Sequence, residues 1–211
     1  MIGMLGDINV ANLLAILIVM LVSVSAHEAM HAYAAHALGD STAKDEGRLT
    51  LNPFSHIDFL TTVLLPVVLI AIGLPPIFIA KPVPFDPNRV KYEEFGAALV
   101  ALAGPFTNLA LAIFTSLLLR IFGADLALGV VEVLQLAVYI NVALFVFNMI
   151  PIPPLDGSRL LYAFAPEPVQ RFLYMIESMG LIFIIVLFLV LSSFILPVIS
   201  NITNTIVQVL I

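Results

Sequence analysis

Long apolar stretches are the feature that most restricts how this 211-residue chain can fold. Apolar runs of bilayer-spanning length lie at about residues 9–38, 94–121, 128–149 and 170–196. A bilayer interior offers no water to the backbone, so such segments cross it as helices. With 62% hydrophobic and 10% charged residues, a soluble domain of this size could not cover its surface. We therefore expect an all-α polytopic membrane protein with about four full transmembrane helices.

A single membrane-embedded domain is expected to span residues 1–211, because the sequence contains no long polar block. Its core covers about residues 9–165, and C-terminal helices cover 170–211. The first apolar stretch lacks a basic leader and is too long for a signal-peptide core, so it should remain in the mature protein. The chain has no Cys, which excludes disulfides, Cys-ligated zinc and Cys nucleophiles.

The first apolar stretch contains the HExxH motif, His27-Glu28-Ala29-Met30-His31. Residues i and i+4 lie on one face of a helix, so both imidazoles can reach a single metal ion. In such motifs the two His hold zinc and the Glu takes a proton from the attacking water. A chance motif is the alternative, but Glu and His are costly inside a transmembrane helix, which favours a functional interpretation.

The HExxH motif supplies only two protein ligands, whereas a catalytic zinc usually has three. Asp156 is the best remaining candidate for the third, because it follows the end of the span at 128–149. An Asp-Gly pair after prolines is also a strong turn signal, so a plain turn residue is the alternative. The position of Asp156, beside a span end where a ligand is missing, favours the metal.

The segment at residues 59–80 is apolar but interrupted by prolines and a glycine. If Asp156 joins the His pair, the C-terminal ends of the first and third full spans lie on one side. Residue 94 then lies on that side too, so segment 59–80 must leave and return there as a re-entrant or hairpin segment. The alternation from Arg48 to Leu51 also predicts a short β element near this side.

The distribution of basic residues gives an independent orientation. Seven of them fall on the side of the expected active site, against one, Arg120, on the other. The seven are Lys44, Arg48, Lys81, Arg89, Lys91, Arg159 and Arg171. By the positive-inside rule, we expect the active site to face the cytoplasm and the N-terminus to lie outside.

Three motifs in this order resemble the site-2 protease family of intramembrane zinc metalloproteases. They are HExxH in the first span, GPFTN at residues 104–108 and NMIPIPPLDG at residues 148–157. The stretches GRLTLNPFSHID (47–58) and AKPVPFDP (80–87) are similar to compact prokaryotic members without PDZ or CBS domains. The resemblance covers roughly residues 20–160.

The resemblance implies one Zn²⁺ ion bound by His27, His31 and Asp156, with Glu28 as general base and acid. Asn148 and Asn108 are candidates for binding the substrate backbone or stabilising the oxyanion. The alternative for both amides is interhelical hydrogen bonding, which the sequence favours for Asn108.

The expected substrates are single-span membrane proteins or remnant signal peptides within a prokaryotic cell membrane, and we expect no nucleic-acid partner. An extended substrate is predicted to pair with a strand edge near residues 48–51 or 80–85. A metal transporter and a catalytically silent substrate-binding homologue are the alternatives. About four full spans and one metal constellation argue against a transporter, and the intact Glu28 argues against a silent homologue.

Overall fold

The computed structural model describes residues 10–56, 64, 83–87 and 89–211, leaving aside the side chains of Val10 and residues 181–192. Within these ranges, four helical segments are long and apolar enough to cross a bilayer. They are Ala11–Ala37, Glu93–Asp125, Leu128–Asn148 and Ser193–Leu210. The expectation of an all-α, multi-pass membrane protein with about four spans is therefore confirmed.

The helices of the described residues are numbered in chain order. They are α1 (Val10–Ala37), α2 (Thr42–Asp45), α3 (Glu93–Phe122), α4 (Leu128–Asn148), α5 (Ser158–Phe164), α6 (Glu167–Ser178) and α7 (Gly180–Leu210). Helices α1, α3 and α4 pack against one another, and α7 packs mainly on α4. A short 3₁₀ turn at Gly123–Asp125 joins α3 to α4, so these two helices are antiparallel.

The long helices alternate in direction. The carbonyl of Leu210, at the end of α7, accepts a hydrogen bond of 2.9 Å from Arg120 Nε near the end of α3. The end of α1 meets the start of α3, where Lys91 N–H donates to Leu38 O at 2.9 Å. The end of α1, the starts of α3 and α7 and the end of α4 therefore lie on one side.

Small residues allow α1 to approach its neighbours closely. Ala29, Ala32 and Ala35 are fully buried on one face of α1, and Ala97 is fully buried near the start of α3. Lipid chains are as apolar as Leu, so helices in a bilayer associate through such close packing rather than through apolar burial alone. His27 and His31 are buried as well, so this part of α1 is enclosed by protein around much of its circumference.

The predicted last span, residues 170–196, is wrong at its N-terminal end. The chain forms the amphipathic helix α6 first, and Gly180 then begins α7 with a φ of +57°, a value that Gly adopts without strain. Polar bonds hold α6 to the rest of the protein: Arg159 binds Glu177 at 2.5 Å and Tyr174 donates to Glu94 at 2.6 Å. Burial, and then the bond to Glu94, raise the pKa of Tyr174 to about 12.

The predicted short β element near residues 48–51 is also wrong. Arg48 N–H donates to Ala43 O at 2.7 Å and Thr50 N–H donates to Arg48 O at 2.9 Å. These donors are used within the local chain, so no strand forms there. Residues 83–86 likewise lack regular structure, and residues 80–82 lie outside the described residues.

The predicted re-entrant segment at 59–80 lies outside the described residues, apart from residue 64. The structure nonetheless places its two flanks on one side. His56 ends a 3₁₀ turn that contacts α1, and Val83 packs against Ala32 of α1 and Ala43 of α2. These flanks agree with the topology that the sequence predicts.

Candidate metal centre

Helix α1 places the two imidazoles of HExxH side by side in its last three turns. The rings of His27 and His31 meet edge to face with centroids 4.6 Å apart, and their Nε2 atoms are 3.0 Å apart. Both side chains are buried, with 7% and 9% of each residue exposed. The i, i+4 spacing of a helix therefore brings two ring nitrogens to one point, as the sequence predicts.

The loop after α4 brings Asp156 to the same point. Its Oδ2 lies 3.2 Å from His27 Nε2 and 3.5 Å from His31 Nε2. The loop is held closed by Gly157 N–H, which donates to Asn148 O at 2.6 Å. A Cβ on Gly157 would lie 2.9 Å from Ile150 O, so only Gly fits this return of the chain.

The hydrogen bonds of the two rings show which nitrogens carry hydrogen. His31 Nδ1 lies 2.8 Å from the carbonyl oxygen of Val100, which can only accept, so Nδ1 of His31 is the donor. His27 Nδ1 lies 2.7 Å from Oδ1 of Asn108 and donates in the same way. In the neutral rings, both Nε2 lone pairs then converge with a carboxylate oxygen, an arrangement that a bound cation stabilises.

The size of the cluster fits a tetrahedral metal ion. Zinc bonds of 2.0–2.1 Å place neighbouring ligand atoms roughly 3.3–3.4 Å apart. The three ligand-atom distances of this cluster are 3.0, 3.2 and 3.5 Å. Two imidazole nitrogens and one carboxylate oxygen are a donor set that zinc takes in hydrolytic enzymes, with a fourth position left open. Of the described residues, these are the ones that form such a cluster.

A buried polar network orients the ring of His27. Asn108 of α3 accepts from His27 through Oδ1, while its Nδ2 donates to Ser23 O at 3.2 Å and to Asn141 Oδ1 at 2.9 Å. Asn141 of α4 in turn donates to Ser23 Oγ and to Ala137 O, each at 2.9 Å. Because Ala137 O can only accept, it helps to fix the amide of Asn141, which fixes that of Asn108.

Gly104 of α3 faces the two imidazole rings. A Cβ there would lie 2.6 Å from Cε1 of His31 and 2.7 Å from Cε1 of His27, closer than such atoms approach. At this position α3 packs closely against the metal cluster. Gly104 therefore sets the distance between α3 and the imidazoles.

Glu28 is held by the segment that returns to α3. Its Oε2 accepts a hydrogen bond of 3.0 Å from Val83 N–H. The segment is anchored further along by Asp86 N–H, which donates to Asp40 Oδ2 at 2.7 Å. Burial opposes ionisation of Asp40, but hydrogen bonds from Thr42 and Asp86 outweigh it and hold the pKa of Asp40 below its ordinary 3.8.

The structure separates the two amides that the sequence proposes for substrate or oxyanion binding. Both Nδ2 hydrogens of Asn108 are engaged, and its oxygen faces His27, so it positions that ring. The side chain of Asn148 donates one hydrogen to Leu144 O at 3.0 Å and has no other partner within the described ranges. Asn148 therefore remains available for a substrate contact.

Sequence reasoning missed Ser23, Asn141 and the backbone of Val83. Ser23 lies one helical turn before His27, and Asn141 lies two turns before Asn148, both inside apolar spans. A polar side chain in such a span is itself a signal, because it needs a partner within the protein. The contact of Val83 with Glu28 has no comparable signal, since any residue other than Pro provides an N–H.

Comparisons with known proteins identify the family to which the chain belongs. The profile of peptidase family M50 matches residues 118–192, which include Asn148 and Asp156. YwhC of Bacillus subtilis, named as a candidate zinc metalloprotease, is 36% identical over 189 residues, covering 86% of this chain and 83% of the relative. The chain belongs to peptidase family M50, the site-2 protease family.

Two other relatives carry the same kind of name. Rip2 of Mycobacterium tuberculosis is 34% identical over 181 residues, covering 80% of this chain and 64% of Rip2. MJ0611 of Methanocaldococcus jannaschii is 44% identical over 69 residues, a third of each protein. No solved structure matches the chain. This M50 protein is a zinc metalloprotease, and its His27, His31 and Asp156 form a group that can bind the metal.

Proposed function

We propose that this metalloprotease cleaves peptide bonds within transmembrane segments or remnant signal peptides, with His27, His31 and Asp156 as the zinc ligands. The observation that supports this most directly is the position of the ligand cluster. Two ligands lie in the last three turns of a membrane-spanning helix, and the third lies in the loop that follows another. A peptide bond must therefore come to the membrane to reach them.

Zinc, when bound here, polarises the scissile carbonyl and lowers the pKa of a water molecule to about 7. The residues of the chain supply the remaining requirements. Glu28 is the proposed general base, which takes a proton from the attacking water and passes it to the leaving amine. Val83 N–H holds Oε2 of Glu28, and Oε1 has no partner in the part of the chain that the structure describes. One carboxylate oxygen is thus fixed while the other is free for the proton.

Access to the cluster is proposed from the side of Asp156. The Asp156 side chain is 22% exposed, whereas those of His27 and His31 are 8% and 11% exposed. Asn148, at the end of α4, precedes this loop and carries a spare amide hydrogen. We assign to it a hydrogen bond to the substrate backbone or to the oxyanion. Strand pairing of substrate with residues 83–86 is restricted, because Glu28 and Asp40 already bind the N–H groups of Val83 and Asp86.

The proposed active site faces the cytoplasm of a prokaryotic cell, and the N-terminus lies outside. Of the basic residues that the structure describes, six lie on the side of the metal centre and one, Arg120, on the other. The six are Lys44, Arg48, Arg89, Lys91, Arg159 and Arg171. This asymmetry agrees with the positive-inside rule. Reporter fusions to the α3–α4 turn should give an extracytoplasmic signal, and a cytoplasmic one would reverse the assignment.

The test of function is cleavage of a reconstituted single-span substrate by the wild type and by Glu28→Gln. Gln keeps the size of the side chain but is not a base, so proteolysis should fall by about 10²–10⁴-fold while zinc stays bound. Asp156→Ala should instead lose zinc. Zinc flux into liposomes would indicate a transporter, and undiminished cleavage by Glu28→Gln would remove Glu28 from the mechanism.

A further inference from the structure

The last three turns of α7 carry an unusual number of polar side chains for a transmembrane helix. Within the described residues, Ser193–Leu210 is the least apolar of the four candidate spans and also the least buried. The exposed polar residues are Ser200, Asn201, Asn204, Thr205 and Gln208. A span that faces lipid is expected to be the most apolar of a bundle, so this combination calls for an explanation.

The polar residues lie opposite the face by which α7 packs on the protein. Ile199, Ile206 and Leu210 contact the apolar core between α3 and α4, and Thr203 is buried beside them. At 100° per residue, Asn201, Asn204 and Gln208 fall within about 60° of one another and point away from this packed face. We call these three residues the amide stripe. It faces outward, where the structure places no other helix of the described residues.

Two residues of the amide stripe, Asn201 and Asn204, lie at the depth of the bilayer interior. Arg120 Nη2 donates to Val209 O at 2.8 Å and Arg120 Nε donates to Leu210 O at 2.9 Å, which places the end of α7 level with Arg120. At 1.5 Å per residue, Asn204 and Asn201 lie about 9 and 14 Å further in. Lipid chains offer these amides no hydrogen-bond partner, so their exposure there is costly.

Bonds within the protein do not satisfy the amide stripe. Asn204 Nδ2 donates to Ser200 Oγ at 3.3 Å, and Thr205 bonds to a backbone carbonyl of its own helix. The side chains of Asn201 and Gln208 have no partner in the part of the chain that is described. Each carboxamide has two donor hydrogens and one acceptor oxygen, most of which are therefore unused.

We propose that the amide stripe is the surface on which a second copy of this chain docks. Two copies in one membrane share the same orientation, so a two-fold axis along the membrane normal brings α7 beside α7 in parallel. Each amide then meets its own counterpart at equal depth, and a carboxamide can both donate to and accept from an identical group. The i, i+3, i+7 spacing of the stripe also suits the left-handed crossing of about 20° common in membranes.

Single-cysteine cross-linking tests this surface directly, because the natural chain has no Cys. Asn201→Cys, oxidised with copper phenanthroline in native membranes, should form a disulfide-linked species of twice the chain mass. Ile202→Cys is the matched control, since residue 202 is also exposed, at 46%, but lies about 100° around the helix. We expect its yield to be about tenfold lower. Equal yields at 201 and 202, or a species linked only to a different protein, would overturn the proposal.

A second measurement uses an apolar replacement that makes α7 better suited to lipid. The pair Asn201→Leu and Asn204→Leu should raise the dissociation constant of the full-length protein in detergent by about tenfold, measured by energy transfer between labelled copies. Zinc content serves as the check on folding and should not change. An unchanged dissociation constant in the zinc-loaded double variant would show that the stripe does not join two copies.

Discussion

Replacing Asn141 tests whether the buried amide network positions the metal ligand. In Asn141→Leu the size of the side chain is nearly kept, but three hydrogen bonds of 2.9 Å are lost, to Ser23 Oγ, Ala137 O and Asn108 Nδ2. The change leaves one amide hydrogen of Asn108 unpartnered in a buried site, which should cost about 1–3 kcal/mol of stability. The amide of Asn108 is then held only by Ser23 O, at 3.2 Å, and by His27 itself.

The effect on zinc follows from this weaker hold. A flipped Asn108 would present its NH₂ group to the Nδ1–H of His27 and turn the ring away. Partners of metal-bound His typically contribute 10–100-fold in metal affinity. Because Ser23 O still favours the native orientation, we expect Asn141→Leu to weaken zinc binding by about tenfold, near 1.4 kcal/mol, and Asn108→Leu by about 100-fold.

Competition with a chromophoric chelator measures the zinc dissociation constant of the purified variants. Thr107→Val is the matched control: Thr107 is the neighbour of Asn108, and its hydroxyl donates only to Ala103 O of its own helix, at 2.8 Å. Asn108→Asp should keep zinc better than Asn108→Leu, because a carboxylate still accepts from His27. Wild-type zinc affinity in Asn141→Leu, or an equal loss in Thr107→Val, would refute the positioning role.

Three further predictions concern the surroundings of the metal centre. Gly104→Ala should reduce zinc content at least tenfold in equilibrium dialysis, because the added methyl group meets both imidazole rings. Gly123→Ala is the control and should keep its zinc, because no atom lies within 4 Å of a Cβ at that position. Normal zinc content in Gly104→Ala would contradict the close packing at Gly104. Asp40→Asn should lower thermal stability near neutral pH. Because folding lowers the pKa of Asp40, the difference in thermal stability between variant and wild type should shrink as the pH falls below about 4. A stability difference that does not depend on pH would argue against a stabilising role of the ionised Asp40. Val83→Pro removes the N–H that holds Glu28 and should lower kcat by about tenfold at unchanged zinc content. Val83→Ala keeps this N–H and should keep kcat. Equal kcat in the two variants would show that the contact between Val83 and Glu28 is dispensable.

Several features of the fold follow from the sequence because they depend on local rules. The lengths of the apolar runs predict the first three spans, and the i, i+4 spacing of His27 and His31 sets their shared face. The break between α6 and α7 at Gly180 was not predicted, because the apolar run after residue 170 obscures an amphipathic start. The predicted strand near residues 48–51 failed because its backbone donors are taken by nearby carbonyls.

Other features required the positions of residues far apart in the sequence. The sequence predicts that Asp156 approaches the His pair only through an assumed topology and a family resemblance, while the structure gives distances of 3.2 and 3.5 Å. The role of Asn108 depends on which of its atoms faces His27. Asn141, a residue of another helix, decides that. Such choices depend on directional hydrogen bonds between packed helices, which residue order does not specify.

By itself, the sequence determined that this chain crosses the membrane several times and carries a pair of imidazoles suited to one metal ion. Both conclusions rest on covalent order, since hydropathy and helical spacing act over a few turns. Only the tertiary structure decided what surrounds the pair: an amide network that fixes one ring, a backbone N–H on Glu28, and an outward amide stripe on α7. These depend on which helix faces share an interface and which face lipid, and that is settled when the bundle packs.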